Sequence, residues 1–189
     1  MIGKSSLKKL KEGIERHIQI YPNLSVKAEQ FESLFAYATD SKWEPYNHNP
    51  GEDMVTNYDG LRKPSLKSGV ITNNVLTISS HRTTKYKTLD DKIKFLSNVP
   101  YDSYICLARP KNGVHNYKLI HFPKSLIDYS LINWEVTFSQ KGHQTGWKGS
   151  NENGTIQLRI SKSMSDQLWI DIHESLVTII EEFNYDVTQ

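Results

Sequence analysis

The chain has 189 residues, 37% hydrophobic and 23% charged, with a net charge of +2. That balance excludes a disordered chain, and the lack of any run of about 18 apolar residues excludes a membrane-spanning helix. One cysteine, Cys106, excludes a disulfide framework and a thiolate zinc site, which makes the reducing cytoplasm the expected compartment.

The length suits one domain over residues 1–189. The N-terminus is lysine-rich but has no apolar stretch behind it, so no secretory signal is expected. The mild positive charge does not by itself mark a nucleic-acid binder. It is compatible with a basic groove around an acidic centre.

In chain order, a first helix is expected over 6–18, with Ser5 as N-cap. Its lysines could touch phosphate or simply be solvated. A second helix follows Ser25, with Phe31, Leu34, Phe35 and Ala38 on one side at helical spacing. Glu32 falls on the margin of that stripe, so it points either toward a site or to solvent.

Strands follow over 54–57, 66–72 and 75–79, the last two joined by Asn73-Asn74, a pair suited to a two-residue turn. Thr88 to Asp91 resembles a capping box, and Leu89, Ile93 and Leu96 give the stripe of the helix behind it. The run 104–108 suits an interior strand, with Cys106 as a buried, inert thiol. Further strands are expected over 117–122, 134–138, 156–160 and 167–172. Residues 141–154 read as a loop and 174–183 as a closing helix.

The chemistry concentrates between 51 and 69. If the loop Tyr58-Asp59-Gly60 has odd length, residue 53 pairs with 65. Asp53, Ser65 and Lys67 then share one face of a hairpin. A two-residue loop would separate them. A carboxylate beside a lysine suits phosphodiester hydrolysis. The carboxylate holds a divalent cation that activates water, and the ammonium steers that water or stabilises charge on the phosphate. Oxygen ligands suit Mg²⁺, with Mn²⁺ as a substitute. An ordinary hairpin with a surface Asp and a surface Lys is the bland alternative.

The segment resembles the active-site motif of the PD-(D/E)xK nuclease superfamily, best known from type II restriction endonucleases. Asp53 stands at the aspartate position, Glu52 where proline is common, Lys67 at the lysine position, and Ser68-Gly69 follows as the motif often ends. The order helix, three strands, helix, strand over about residues 25–109 is similar to the family core. The resemblance implies an α/β (α+β) restriction-endonuclease-like fold, a central mixed β-sheet flanked by helices. Residues 110–189 would complete the sheet and supply DNA-recognition elements. It also implies a Mg²⁺-dependent enzyme that cuts double-stranded DNA at specific sequences, as a homodimer. The sequence departs from the motif at Ser65, where the family has an acid. Glu32 is the first choice for the missing carboxylate, ahead of Glu52 and Asp59. The implied metal ligands are Asp53, Glu32 and Glu52, and the catalytic set is Asp53, Lys67, Ser65 and Glu32.

Two further segments carry donors for phosphate or base edges. His81, Arg82 and Lys85 follow the third strand of the core. Lys141, Gln144 and Lys148 lie in the expected loop, where a mobile surface loop is an equal reading. Asp166 and Gln167 could also reach DNA. The seven histidines show no close helical spacing of a zinc site. A repair, nicking or homing nuclease of the same core and a non-catalytic DNA-binding protein remain alternatives.

Overall fold

The structure, a computed structural model, describes residues 2–43, 54–55, 64–111, 115–162 and 165–185, with the side chains of 54 and 55 left aside. Helix α1 spans Lys4–Ile20 and buries Leu10, Ile14 and Ile18, one side chain per turn. It starts before the expected position. Gly3 is the N-cap, so Ser5 lies in the first turn and caps nothing. Helix α2, Ala28–Ala38, buries Phe31, Phe35, Ala36 and Ala38, close to the expected stripe. Thr39 ends it, its hydroxyl donating to the Phe35 carbonyl at 2.8 Å.

Two short strands, β1 (Lys42–Trp43) and β2 (Met54–Val55), pair antiparallel with each other. Next come β3 (Ser65–Thr72), β4 (Val75–Arg82), helix α3 (Leu89–Ser97), β5 (Ser103–Pro110) and β6 (Asn116–Pro123). Then follow β7 (Asn133–Phe138), β8 (Gln144–Ser150), β9 (Ile156–Ser161), β10 (Gln167–His173) and β11 (Thr178–Asn184). The sheet they form has nine strands in the order β11-β6-β5-β3-β4-β10-β9-β8-β7. All neighbours are antiparallel except β3 and β5; the chain leaves β4, passes through α3 and returns on the far side of β3 as β5. The protein is thus mixed α+β, a large mixed sheet flanked by helices.

Local chemistry explains several expected joints. Asn73 and Asn74 have φ of 51° and 60°, the left-handed pair that a type I′ hairpin turn needs. Thr88 is the N-cap of α3 and accepts from the Asp91 N–H at 3.1 Å, while its hydroxyl donates to the Asp91 carboxylate at 2.7 Å. β5 is buried from Ser103 to Ala108, as a central strand covered on both faces must be.

Two expectations are corrected. Residues 174–183 do not form a closing helix: Glu174–Leu176 is a single 3-10 turn and β11 follows. The β-branched run Val177-Thr178-Ile179-Ile180 disfavours helix, and the open edge of β6 offers a ladder from His121 to Asn116. Residues 141–154 are not one loop, because β8 runs through them. Its glycines permit close packing. Gly146 has φ of 147°, and a Cβ there would stand 1.9 Å from the Ile160 carbonyl oxygen.

The sheet separates two cores. On one face α1 and α2 pack on Leu66, Ile105, Leu107, Leu119 and Phe183. On the other, α3 brings Leu96 against Tyr104, Cys106, Ile120, Ile78 and Ile170. Among the described residues no helix is long and apolar enough to cross a membrane.

Over 25–109 the order is α2, β1, β2, β3, β4, α3, β5. The described partner of Met54–Val55 is β1, and those of β3 are β4 and β5. The expected hairpin turn at Tyr58-Asp59-Gly60, with Glu52 and Asp53 ahead of it, lies outside the described residues.

Candidate active site

The β3–β4 hairpin comes apart toward its open end. Its ladder runs only from Thr72↔Val75 to Gly69↔Ile78. At Gly69 the strands are tightest: a Cβ there would meet Leu76 at 2.8 Å and Ile78 at 2.9 Å. Beyond that point β3 continues along β5, while Ser79–Arg82 of β4 follow β10. Ser65–Ser68 and Ser79–Arg82 therefore flank a break in the β3–β4 ladder, the cleft of this site.

Strand alternation assigns the β3 side. Ser65, Lys67 and Gly69 register with Tyr104, Cys106 and Ala108, so they share the face that α3 covers. Leu66 and Ser68 face α2, whose Ala28 N–H donates to Ser68 Oγ at 2.9 Å. Ser65 and Lys67 are thus brought to one face, as expected. Ser65 is fully buried and its Oγ has no hydrogen-bond partner among the described residues. Lys67 is half-buried.

A β-bulge shapes the β4 side. Gln167 registers with Arg82 and Trp169 with Ser79, so Ser80 and His81 together oppose Leu168 alone. The extra residue turns His81 inward against the alternation set by Leu76 and Ile78. The Gln167 side-chain amide braces the bulge, donating to the carbonyls of Ser80 (3.0 Å) and His81 (3.3 Å).

Behind the cleft runs a chain of hydroxyls. His81 Nε2 lies 2.6 Å from the Tyr101 hydroxyl, which lies 2.6 Å from that of Tyr104. Ser80 Oγ joins Tyr104 at 3.4 Å. The His81 ring stacks on Tyr101 at 5.5 Å and meets Phe95 edge-on at 5.7 Å. Burial pushes the His81 pKa down to about 4, and the charge of Lys67 pushes the same way. Burial pushes the Cys106 thiol up to about 12 against the opposing pull of Lys67, which keeps it inert. Lys67 lies on the sheet face it shares with Cys106, the face to which His81 is turned.

The sign of the His81 shift gives a testable result. Above pH 6.5 the ring is neutral folded or unfolded, and the shift contributes nothing. Between pH 6.5 and about 4 only the unfolded chain takes the proton, so stability falls with pH by about 3 kcal/mol in total. Urea melts of wild type and His81→Gln at pH 7 and pH 4.5 should show the wild type losing more. Equal losses would contradict a buried neutral ring.

The other expected residues separate. Glu32 is half-buried on α2, one turn past the Ala28–Ser68 contact, on the sheet face opposite to Lys67. Arg82, the last residue of β4, and Lys85, three residues on, are exposed. Lys141, Gln144 and Lys148 belong to the β7–β8 hairpin, and β8 is four strands from β3, roughly 19 Å at ordinary strand spacing. Lys148 pairs with Glu135 at 3.0 Å, and Gln144 accepts from Lys162 at 3.4 Å. They are not part of the cleft. Gln167 and Asp166 are also turned inward, one onto the bulge and the other onto Lys92 at 2.8 Å.

Sequence reasoning missed Tyr101 and Tyr104, which read as core aromatics, and missed the inward turn of His81. Among the described residues no three of His, Cys, Asp and Glu stand close enough to hold a metal ion. The carboxylates a metal would require here, Asp53 and Glu52, lie outside the described residues. Comparison with protein-family models, with curated proteins and with solved structures finds no match for the chain.

Proposed function

We propose that the protein is a Mg²⁺-dependent endonuclease that hydrolyses phosphodiester bonds of double-stranded DNA at specific sequences, in the manner of a PD-(D/E)xK restriction enzyme. The observation that carries this reading is the place of Lys67. It is a half-buried cation in the middle of a nine-stranded sheet, at the point where β3 and β4 part. A lysine held there on rigid strands is suited to meet a phosphate, and the exposed Arg82 and Lys85 after the bulge offer further cations for the backbone.

Asp53, with Glu52, would hold the metal, which supplies Lewis acidity and a water of lowered pKa. Lys67 orients the attacking water and stabilises charge growing on the phosphate. Ser65 is too buried to touch the phosphate, and its short side chain leaves the metal's remaining ligand to another carboxylate. Cutting both strands calls for two copies of the site, which a homodimer provides by two-fold symmetry.

Supercoiled plasmid incubated with the protein distinguishes the outcomes. Linear product with Mg²⁺ or Mn²⁺ and none with a chelator is expected. Open circles alone would favour a nicking or repair enzyme. Bound but intact plasmid at every metal concentration would make the protein a non-catalytic DNA binder.

A further inference from the structure

The sheet face that carries Lys67 is more elaborate than a core requires. Three polar side chains, His81, Tyr101 and Tyr104, are 8%, 1% and 0% exposed, yet form one continuous hydrogen-bonded chain. Burying three polar groups is tolerated only when each is satisfied, and such a fully satisfied chain rigidifies what it touches. The chain starts at a bulge, a feature that costs ladder bonds, and Gln167 is spent on holding that bulge. It ends on Tyr104, which registers with Ser65 two residues before Lys67. His81 itself has little surface to offer DNA, since Phe95 and Tyr101 cover its ring and Nε2 is engaged.

We propose that His81 is a positioning residue: with Tyr101 and Tyr104 it forms an uncharged, rigid wall on the sheet face that carries Lys67, and that wall sets where the Lys67 ammonium stands. This replaces a direct DNA contact by His81. The consequence for Lys67 in catalysis rests on the nuclease reading. The wall works because an imidazole beside Lys67 must not add a second positive charge, and because the relay fixes ring orientation through the tautomer. Tyr101 is the link that can be cut without altering the packing, since phenylalanine has the same ring.

The test uses Tyr101→Phe and His81→Gln in the full chain, with two readouts. On duplex DNA with Mg²⁺, Tyr101→Phe should lower kcat roughly 10–100-fold with KM nearly unchanged, the size of effect usual for groups that orient a reacting residue. His81→Gln, whose amide can still meet the Tyr101 hydroxyl, should retain more activity than His81→Phe. A purely structural role would instead lower the thermal midpoint and leave kcat per folded molecule unchanged. Independently of any cleavage, the side-chain ¹³Cε–¹H signal of Lys67, assigned through Lys67→Arg, should move in Tyr101→Phe while that of exposed Lys9 stays put. If the wild type cuts no DNA, the nuclease reading fails and the Lys67 signal alone decides the positioning role. An unmoved Lys67 signal, or full kcat in Tyr101→Phe where Lys67→Ala is inactive, overturns the proposal.

Discussion

Replacing Lys92 with alanine should cost about 3–5 kcal/mol of stability, the range for removing one partner of a buried ion pair. Lys92 is 1% exposed, although lysine is almost never fully buried without a partner. Its ammonium donates to the Thr83 carbonyl and the Asp166 carboxylate, each at 2.8 Å, and to the Tyr86 carbonyl. It also stands 5.6 Å from the centre of the Trp147 ring. Three donors thus meet three acceptors from the segment after β4 and the residue before β10. Alanine would strand the Asp166 charge and take the ammonium donor from the Tyr86 carbonyl, while the Thr83 carbonyl would keep only the Tyr86 N–H at 3.0 Å. Urea denaturation should show a lower midpoint with unchanged slope, and the thermal midpoint should fall by roughly 10 °C for a chain of this size. The pair Lys92→Met with Asp166→Leu should recover part of the loss, because it removes both charges together. A loss below about 1 kcal/mol in Lys92→Ala would show that the ion pair is not the clasp of this corner.

Lys67→Ala should abolish Mg²⁺-dependent cleavage while leaving affinity for duplex DNA largely intact. Removing one preorganised charge aimed at a transition state typically costs about 10²–10³ in kcat. Lys67 would be such a charge, and if it also orients the water the loss should lie at the upper end. Because the residue is half-buried in β3 while Arg82 and Lys85 are exposed, its loss should remove little of the phosphate attraction that those two would supply under the proposed function. Lys67→Arg should restore charge but not activity, since a broad planar guanidinium does not reproduce the compact point charge of an ammonium. Single-turnover cleavage separates chemistry from binding, and gel-shift affinities in Ca²⁺ give the binding arm. Full cleavage by Lys67→Ala would remove the site from the cleft.

What was legible in the sequence was local. Asn73-Asn74 announces its turn because only positive φ closes a two-residue hairpin, and the cap at Thr88 is contained within four residues. The shared face of Ser65 and Lys67 follows from strand alternation alone. The misread elements have distant partners. Residues 176, 179, 180 and 183 carry Leu, Ile, Ile and Phe at a spacing that fits a helix, yet β6, some sixty residues earlier in the chain, captures them as an edge strand. The glycines of β8 look like loop residues until the strand β9 is placed against Gly146. The site divides in the same way. Lys67 is proposed from its motif and its face follows from alternation, whereas His81 follows a solvent-facing pattern in sequence and turns inward because of a bulge facing Leu168. Tyr101 and Tyr104 carry no local signal that separates a hydrogen-bonded relay from ordinary core aromatics.

The central claim is that the cleft between β3 and β4 is where a DNA backbone is cut at defined sequences. Sequencing the ends produced from a long duplex DNA incubated with the wild-type protein and Mg²⁺ tests it most directly. The account predicts discrete fragments whose ends share one short sequence, lost with a chelator and in Lys67→Ala. Intact DNA with either Mg²⁺ or Mn²⁺, or scission that persists unchanged in Lys67→Ala, would contradict it.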